Sequence, residues 1–116
     1  AVFGDGEQTR DFIYVKDVAQ ANTLAVSTVF PNACYNVSTG RETSVNCLLD
    51  TFARALAPRS MPAVSYQAAR EGDIYRSRLD CTKAADKLGF QAQTPLDEGI
   101  QKTVAYFLQP LSGDKA

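Results

Sequence analysis

The chain has 116 residues, 45% hydrophobic and 22% charged, which is the composition of one ordinary globular domain rather than a disordered or membrane-embedded chain. Its 12 basic and 13 acidic residues leave a net charge of -1 with no stripe of Lys or Arg, so bulk electrostatics give no push toward nucleic acid. No apolar run is long enough for a bilayer and no charged-then-apolar leader is present, so the expectation is a soluble, cytoplasmic protein with no membrane partner.

In chain order, Gly4-Asp5-Gly6 reads as a tight turn, and residues 12–15 are short, apolar and β-prone. Asp17 then caps a helix whose inward face is Val18, Ala21, Ala25 and Val29, ended by Pro31-Asn32. Residues 34–38 read as a second strand closed by Thr39-Gly40. Ser44 is the N-cap of the clearest helix, in which Val45, Leu48, Leu49, Phe52 and Leu56 form one stripe and which Pro58 stops. Val64 and Tyr66 alternate with polar neighbours in a third strand. Asp80 caps a short helix that ends at Leu88 with Gly89 beyond it. Thr94-Pro95 opens a last helix with Asp97 and Glu98 against its dipole and Leu96, Ile100, Val104 and Phe107 as its buried face. Strand and helix signals alternate, which predicts an α/β fold, with α+β as the alternative, over residues 1–109, and a frayed tail over 110–116.

Several chemistries are excluded at once. The chain contains no histidine, so Ser-His and Cys-His nucleophile pairs are impossible, and it contains neither a G-x-G-x-x-G nor a phosphate-binding loop. Cys34, Cys47 and Cys81 are widely spaced, without a metal-binding pattern, and read as buried reduced thiols; no metal site is expected.

The stretch REGDIYRSRLD, residues 70–80, carries more charge than a chain reversal needs, since Gly72 and Asp73 alone would serve a turn. It is one of three segments, with FGDGEQTRDFIYVKDVAQAN and YNVSTGRETSV, that in this order resemble the C-terminal portion of the extended short-chain dehydrogenase/reductases, the NAD-dependent nucleotide-sugar epimerases and dehydratases, with UDP-galactose and UDP-N-acetylglucosamine 4-epimerases as the nearest likeness.

The resemblance implies a substrate-binding role. The arginine of the RDF-type segment and the REGD segment line the family's nucleotide pocket, which maps onto Arg10 and onto Arg70, Glu71, Gly72 and Asp73, with Gln8 and Thr9 as weaker candidates. Arginine's planar fork suits the diphosphate of a UDP-sugar, and the Asp73 carboxylate suits ribose hydroxyls. The family's NAD loop and Tyr-x-x-x-Lys pair have no counterpart: none of the five tyrosines is followed by Lys four positions on. The chain is therefore expected to be a fragment or truncated product that binds no cofactor and has no catalytic residue of its own, in a parent that uses NAD to carry a hydride from the sugar C4 and back.

Plainer roles stand beside these. Arg10 next to Asp11 reads equally as a surface ion pair, Glu71 as an exposed turn residue, Arg76 and Arg78 as solvated side chains, Asp17 and Asp80 as caps, and Tyr14 as a packing residue. Ser38 stands where relatives usually carry a glycine, which either crowds a close approach or, with extended dihedrals, costs little. Other outcomes remain open: a dehydratase or decarboxylase parent, an oligomerising module that covers exposed apolar faces with another copy or with an NAD-binding half, or a remnant with no ligand.

Overall fold

The computed structural model describes residues 1–30 and 32–109, so Pro31 and the expected frayed tail 110–116 lie outside the described residues. The chain runs β1 (Val2–Phe3), β2 (Thr9–Arg10), α1 (Val15–Val26), β3 (Thr43–Ser44), α2 (Val45–Leu56), β4 (Tyr66–Gln67), α3 (Thr82–Leu88) and α4 (Leu96–Leu108). β1 pairs parallel with β4, in the register Val2 to Tyr66 and Phe3 to Gln67; β2 pairs antiparallel with β3, Thr9 to Ser44 and Arg10 to Thr43. Helices and strands are thus mixed, as the alternating signals predict.

Local chemistry accounts for the helix ends. The Ser44 hydroxyl accepts from the Cys47 amide, as expected of an N-cap. Asp80 does not hold the cap position of α3, which is Cys81; from one residue earlier its carboxylate accepts from the Thr82 amide (2.9 Å) and hydroxyl (2.6 Å), and Gly89, left-handed at φ 66, closes the helix. The expected turn at residues 4–6 is present, with Glu7 N–H donating to Asp5 Oδ1. Asp17 does not cap α1. Tyr14 holds that position, and the buried Asp17 carboxylate reaches across to accept from the Thr94 amide (3.0 Å) and hydroxyl (3.3 Å), tying α1 to the start of α4.

Three further expectations need correction. Residues 12–15 and 34–38 form no strand among the described residues: Val15 already begins α1, and neither segment meets a ladder partner, without which an apolar run has no backbone bonds to make. Cys34 and Cys47 are exposed and Cys81 half-buried, all three free. Val29 and Phe107 are exposed at 82% and 76% rather than packed.

The last point has a physical cause. The body measures 49 × 48 × 24 Å with a radius of gyration of 17.3 Å, against about 13 Å for a compact domain of this length, so it is a plate with little interior. Ala21, Ala84 and Phe90 form the buried cluster, with Ile13, Leu24, Tyr35, Val37, Leu88 and Ala92 around it. α2 lies against α4, but among the described residues nothing covers the last turn of α4, and Tyr106 and Phe107 stand exposed, edge-to-face at a centroid distance of 5.3 Å.

Candidate functional site

The β2 pairing places Arg10 half-buried at the margin of the plate, where its guanidinium is held three ways. Nη1 donates to the carbonyls of Thr9 (2.7 Å) and Ile74 (2.6 Å), and Nη2 pairs with Asp73 Oδ1 at 2.7 Å. The ion pair is therefore with Asp73 from the third motif, not with the neighbouring Asp11.

Residues 70–73 make a turn closed by the Asp73 amide on the Arg70 carbonyl at 3.3 Å. Gly72 sits third in this turn at φ 79, a conformation that L side chains rarely adopt, and open space surrounds the place a Cβ would take. The turn leaves Glu71 exposed without a described partner, as expected of a turn residue, and sends the two functional candidates to different neighbours. Asp73 meets Arg10, whereas the Arg70 guanidinium lies 3.7 Å from the centre of the Phe3 ring. Gln8 Nε2 donates to the Phe3 carbonyl at 2.7 Å, while its Oε1 is buried with no partner among the described residues. Thr9 donates its hydroxyl to Glu42 Oε1 (3.1 Å), and its amide to the Tyr75 carbonyl (2.8 Å).

All seven candidate residues thus lie along the first and third motifs. None of them lines the clefts of about 710, 790 and 300 Å³; residues 70–73 are exposed, and Gln8, Thr9 and Arg10 are half-buried.

Asp11 joins the three segments, a role that sequence reasoning missed. Its Oδ1 accepts from the Thr39 amide (3.0 Å) and hydroxyl (2.5 Å), and its Oδ2 from the amides of Gly40 (2.8 Å) and Leu79 (3.3 Å). Burial alone would push its carboxyl up, but the Ser38 and Thr39 side chains and the Thr39 and Leu79 amides outweigh this and hold it below its ordinary value. The only available signal was an acid placed between Arg10 and an apolar run. Ser38 is buried, has no positive φ and donates to the Asp11 carbonyl at 3.5 Å, so the hydroxymethyl group has a place and a partner.

Arg76 grips Glu42 through Nε (3.1 Å) and Nη2 (2.5 Å), which holds that carboxyl below its usual value. Arg76 is therefore paired rather than simply solvated. Among the described residues no group of His, Cys, Asp and Glu could hold a metal ion, and no helix is long and apolar enough to cross a membrane.

The family model described as GDP-mannose 4,6 dehydratase matches residues 1–103. The UDP-glucose 4-epimerase of Mycolicibacterium smegmatis is 42% identical over 106 residues, 91% of this chain and 33% of the relative. The structure of the Thermotoga maritima UDP-glucose 4-epimerase with UDP-glucose superposes with a TM-score of 0.80 at 42% identity, covering 91% of this chain and 33% of that one. The structure of MoeE5 in complex with UDP-glucose and NAD gives 0.81 at 36% identity, covering 91% and 35%. The fold and the three motifs define a portion of an extended short-chain dehydrogenase/reductase. The chain belongs to the nucleotide-sugar epimerase/dehydratase family of that class, and spans about a third of the length of the relatives it matches.

Proposed function

We propose that this chain is the substrate-binding portion of a UDP-hexose 4-epimerase-like enzyme and that residues 8–10 and 70–73 grip the nucleotide diphosphate. The observation that carries this reading is the Arg10–Asp73 pair, which joins two motifs 63 positions apart beside the exposed REGD turn. In the reading, Arg10 and Arg70 take the phosphate oxygens, Asp73 accepts from the ribose hydroxyls, and Gly72 lets the backbone approach. Gln8, Thr9 and Glu71 shape the rim. The likeness to a UDP-glucose 4-epimerase and to MoeE5, both solved with UDP-glucose, supports UDP as the nucleotide.

NAD does not fit the residues present: the chain has no glycine-rich dinucleotide loop and no Tyr-x-x-x-Lys. The purified chain mixed with UDP-galactose and NAD is expected to give no turnover. Chemical-shift titration with UDP tests the grip. Resonances of residues 8–10 and 70–73 should move at saturation; if none does, the site assignment fails.

The uncovered end of α4 favours a second reading, self-association. Tyr106 and Phe107 are 70% and 76% exposed beside an apolar cleft of about 790 Å³ that Leu48, Phe52 and Ile100 also line. Sedimentation at micromolar concentration should then find a dimer or larger species that Phe107→Ser dissociates. A monomer at all concentrations would contradict it.

A further inference from the structure

We infer that the cleft of about 710 Å³ between the 38–41 loop and α3 is a second oxyanion site, which takes a diphosphate-type group through Arg41 and Arg78 and is separate from the grip proposed around Arg10 and Arg70.

Both arginines line this one cleft, and neither guanidinium donates a hydrogen bond or forms an ion pair within 4 Å among the described residues, although the charge of Arg78 helps to hold the Glu42 and Asp80 carboxyls below their usual values. The acids that would ordinarily neutralise them are already engaged. Glu42, next in sequence to Arg41, gives both carboxylate oxygens to Arg76. Asp80, which also lines the cleft, directs its carboxylate to the Thr82 amide and hydroxyl at the start of α3. Asp11, behind the loop, is filled by Thr39, Gly40 and Leu79.

The forked donors of the two arginines match phosphate oxygens in pairs, and an anion held in the cleft would offset the positive charge on its lining. The volume exceeds that of a lone phosphate and accommodates a diphosphate carried on a larger group. The loop itself is fixed, because Asp11 holds the Thr39 and Gly40 amides, so the Arg41 backbone is placed before any ligand arrives. The REGD-type motif does not account for Arg78, which lies five positions beyond Asp73 in the same charged stretch.

Residue-resolved chemical-shift titration with inorganic pyrophosphate at constant ionic strength tests the site. Pyrophosphate should move the resonances of Arg41, Arg78 and Thr82. The double variant Arg41→Gln, Arg78→Gln should weaken that response at least tenfold, and Arg41→Lys, Arg78→Lys should recover only part of it. The same response should persist in Arg10→Gln, Arg70→Gln, a variant that abolishes the response of residues 8–10 and 70–73 if the nucleotide grip is right. The two proposals therefore fail separately. No response at Arg41 and Arg78, an equal response to chloride, or undiminished binding by the Arg41→Gln, Arg78→Gln chain would overturn the second site.

Discussion

Arg10 and Asp73 meet at 2.7 Å with 34% and 39% of their side chains exposed, which makes the pair a poor source of stability and a well-placed source of charge. Arg10→Ala, which also removes the bonds to the Thr9 and Ile74 carbonyls, is expected to lower unfolding free energy by about 1 to 3 kcal/mol. The same change should weaken UDP about tenfold or more, because hydrogen bonds to charged groups contribute about 1.5 to 3 kcal/mol each. Denaturant melts and ligand titration on one sample separate the two effects; a large stability loss with unchanged UDP affinity would assign Arg10 to the fold alone.

Asp11 should behave differently. Asp11→Asn turns acceptors toward the Gly40 and Leu79 amides into donors, and is expected to cost about 1 to 3 kcal/mol. Its folded carboxyl lies below the ordinary value of 3.8, so its contribution is fully present above about that pH and is lost as pH falls through the lower, folded value. Stability measured from pH 6 downward should decline less steeply for Asp11→Asn than for the parent below pH about 4. Parallel declines would show that Asp11 titrates alike in both states.

Phe90 is the largest fully buried side chain, at 1% exposure, in a plate with few other buried apolar residues. Phe90→Ala is expected to cost about 3 to 5 kcal/mol, a large share of the total of about 5 to 15 kcal/mol that domains possess. Loss of the cooperative thermal transition at 37 °C, or a melting point lowered by roughly 10 °C or more, is the expected outcome. A change under 1 kcal/mol would mean that the cluster around α1 and α3 contributes little.

How much could be read from the sequence depended on how local each feature is. The Ser44 cap, the stripe of α2, the glycine that ends α3 and the turn at Gly72 rest on neighbours within a few residues, and each appears where the residue types place it. The strands expected at 12–15 and 34–38 needed partners that no local pattern can supply, and Phe107 needed a covering surface that the described residues lack. Asp17 and Asp11 were misread for the same reason. Their local context is that of a cap and of a surface pair, but their partners, Thr94 and the 39–40 loop, are 77 and 28–29 positions away. The motifs located Arg10 and Asp73; their direct contact became visible only in the folded chain.

The central claim, that Asp73 and Arg70 read a nucleoside diphosphate rather than any anion, is tested most directly by titrating UDP and pyrophosphate into the parent, Arg70→Ala and Asp73→Asn chains while following the resonances of residues 8–10 and 70–73. Arg70→Ala should weaken UDP about 10-fold to 150-fold, the span of about 1.5 to 3 kcal/mol. Asp73→Asn should weaken UDP while leaving pyrophosphate unchanged or bound more tightly, since only UDP has a ribose to hold and the substitution removes the negative charge that pairs with Arg10. If Arg70→Ala binds UDP as tightly as the parent, or if Asp73→Asn weakens both ligands equally, the chain does not grip its nucleotide in the way described.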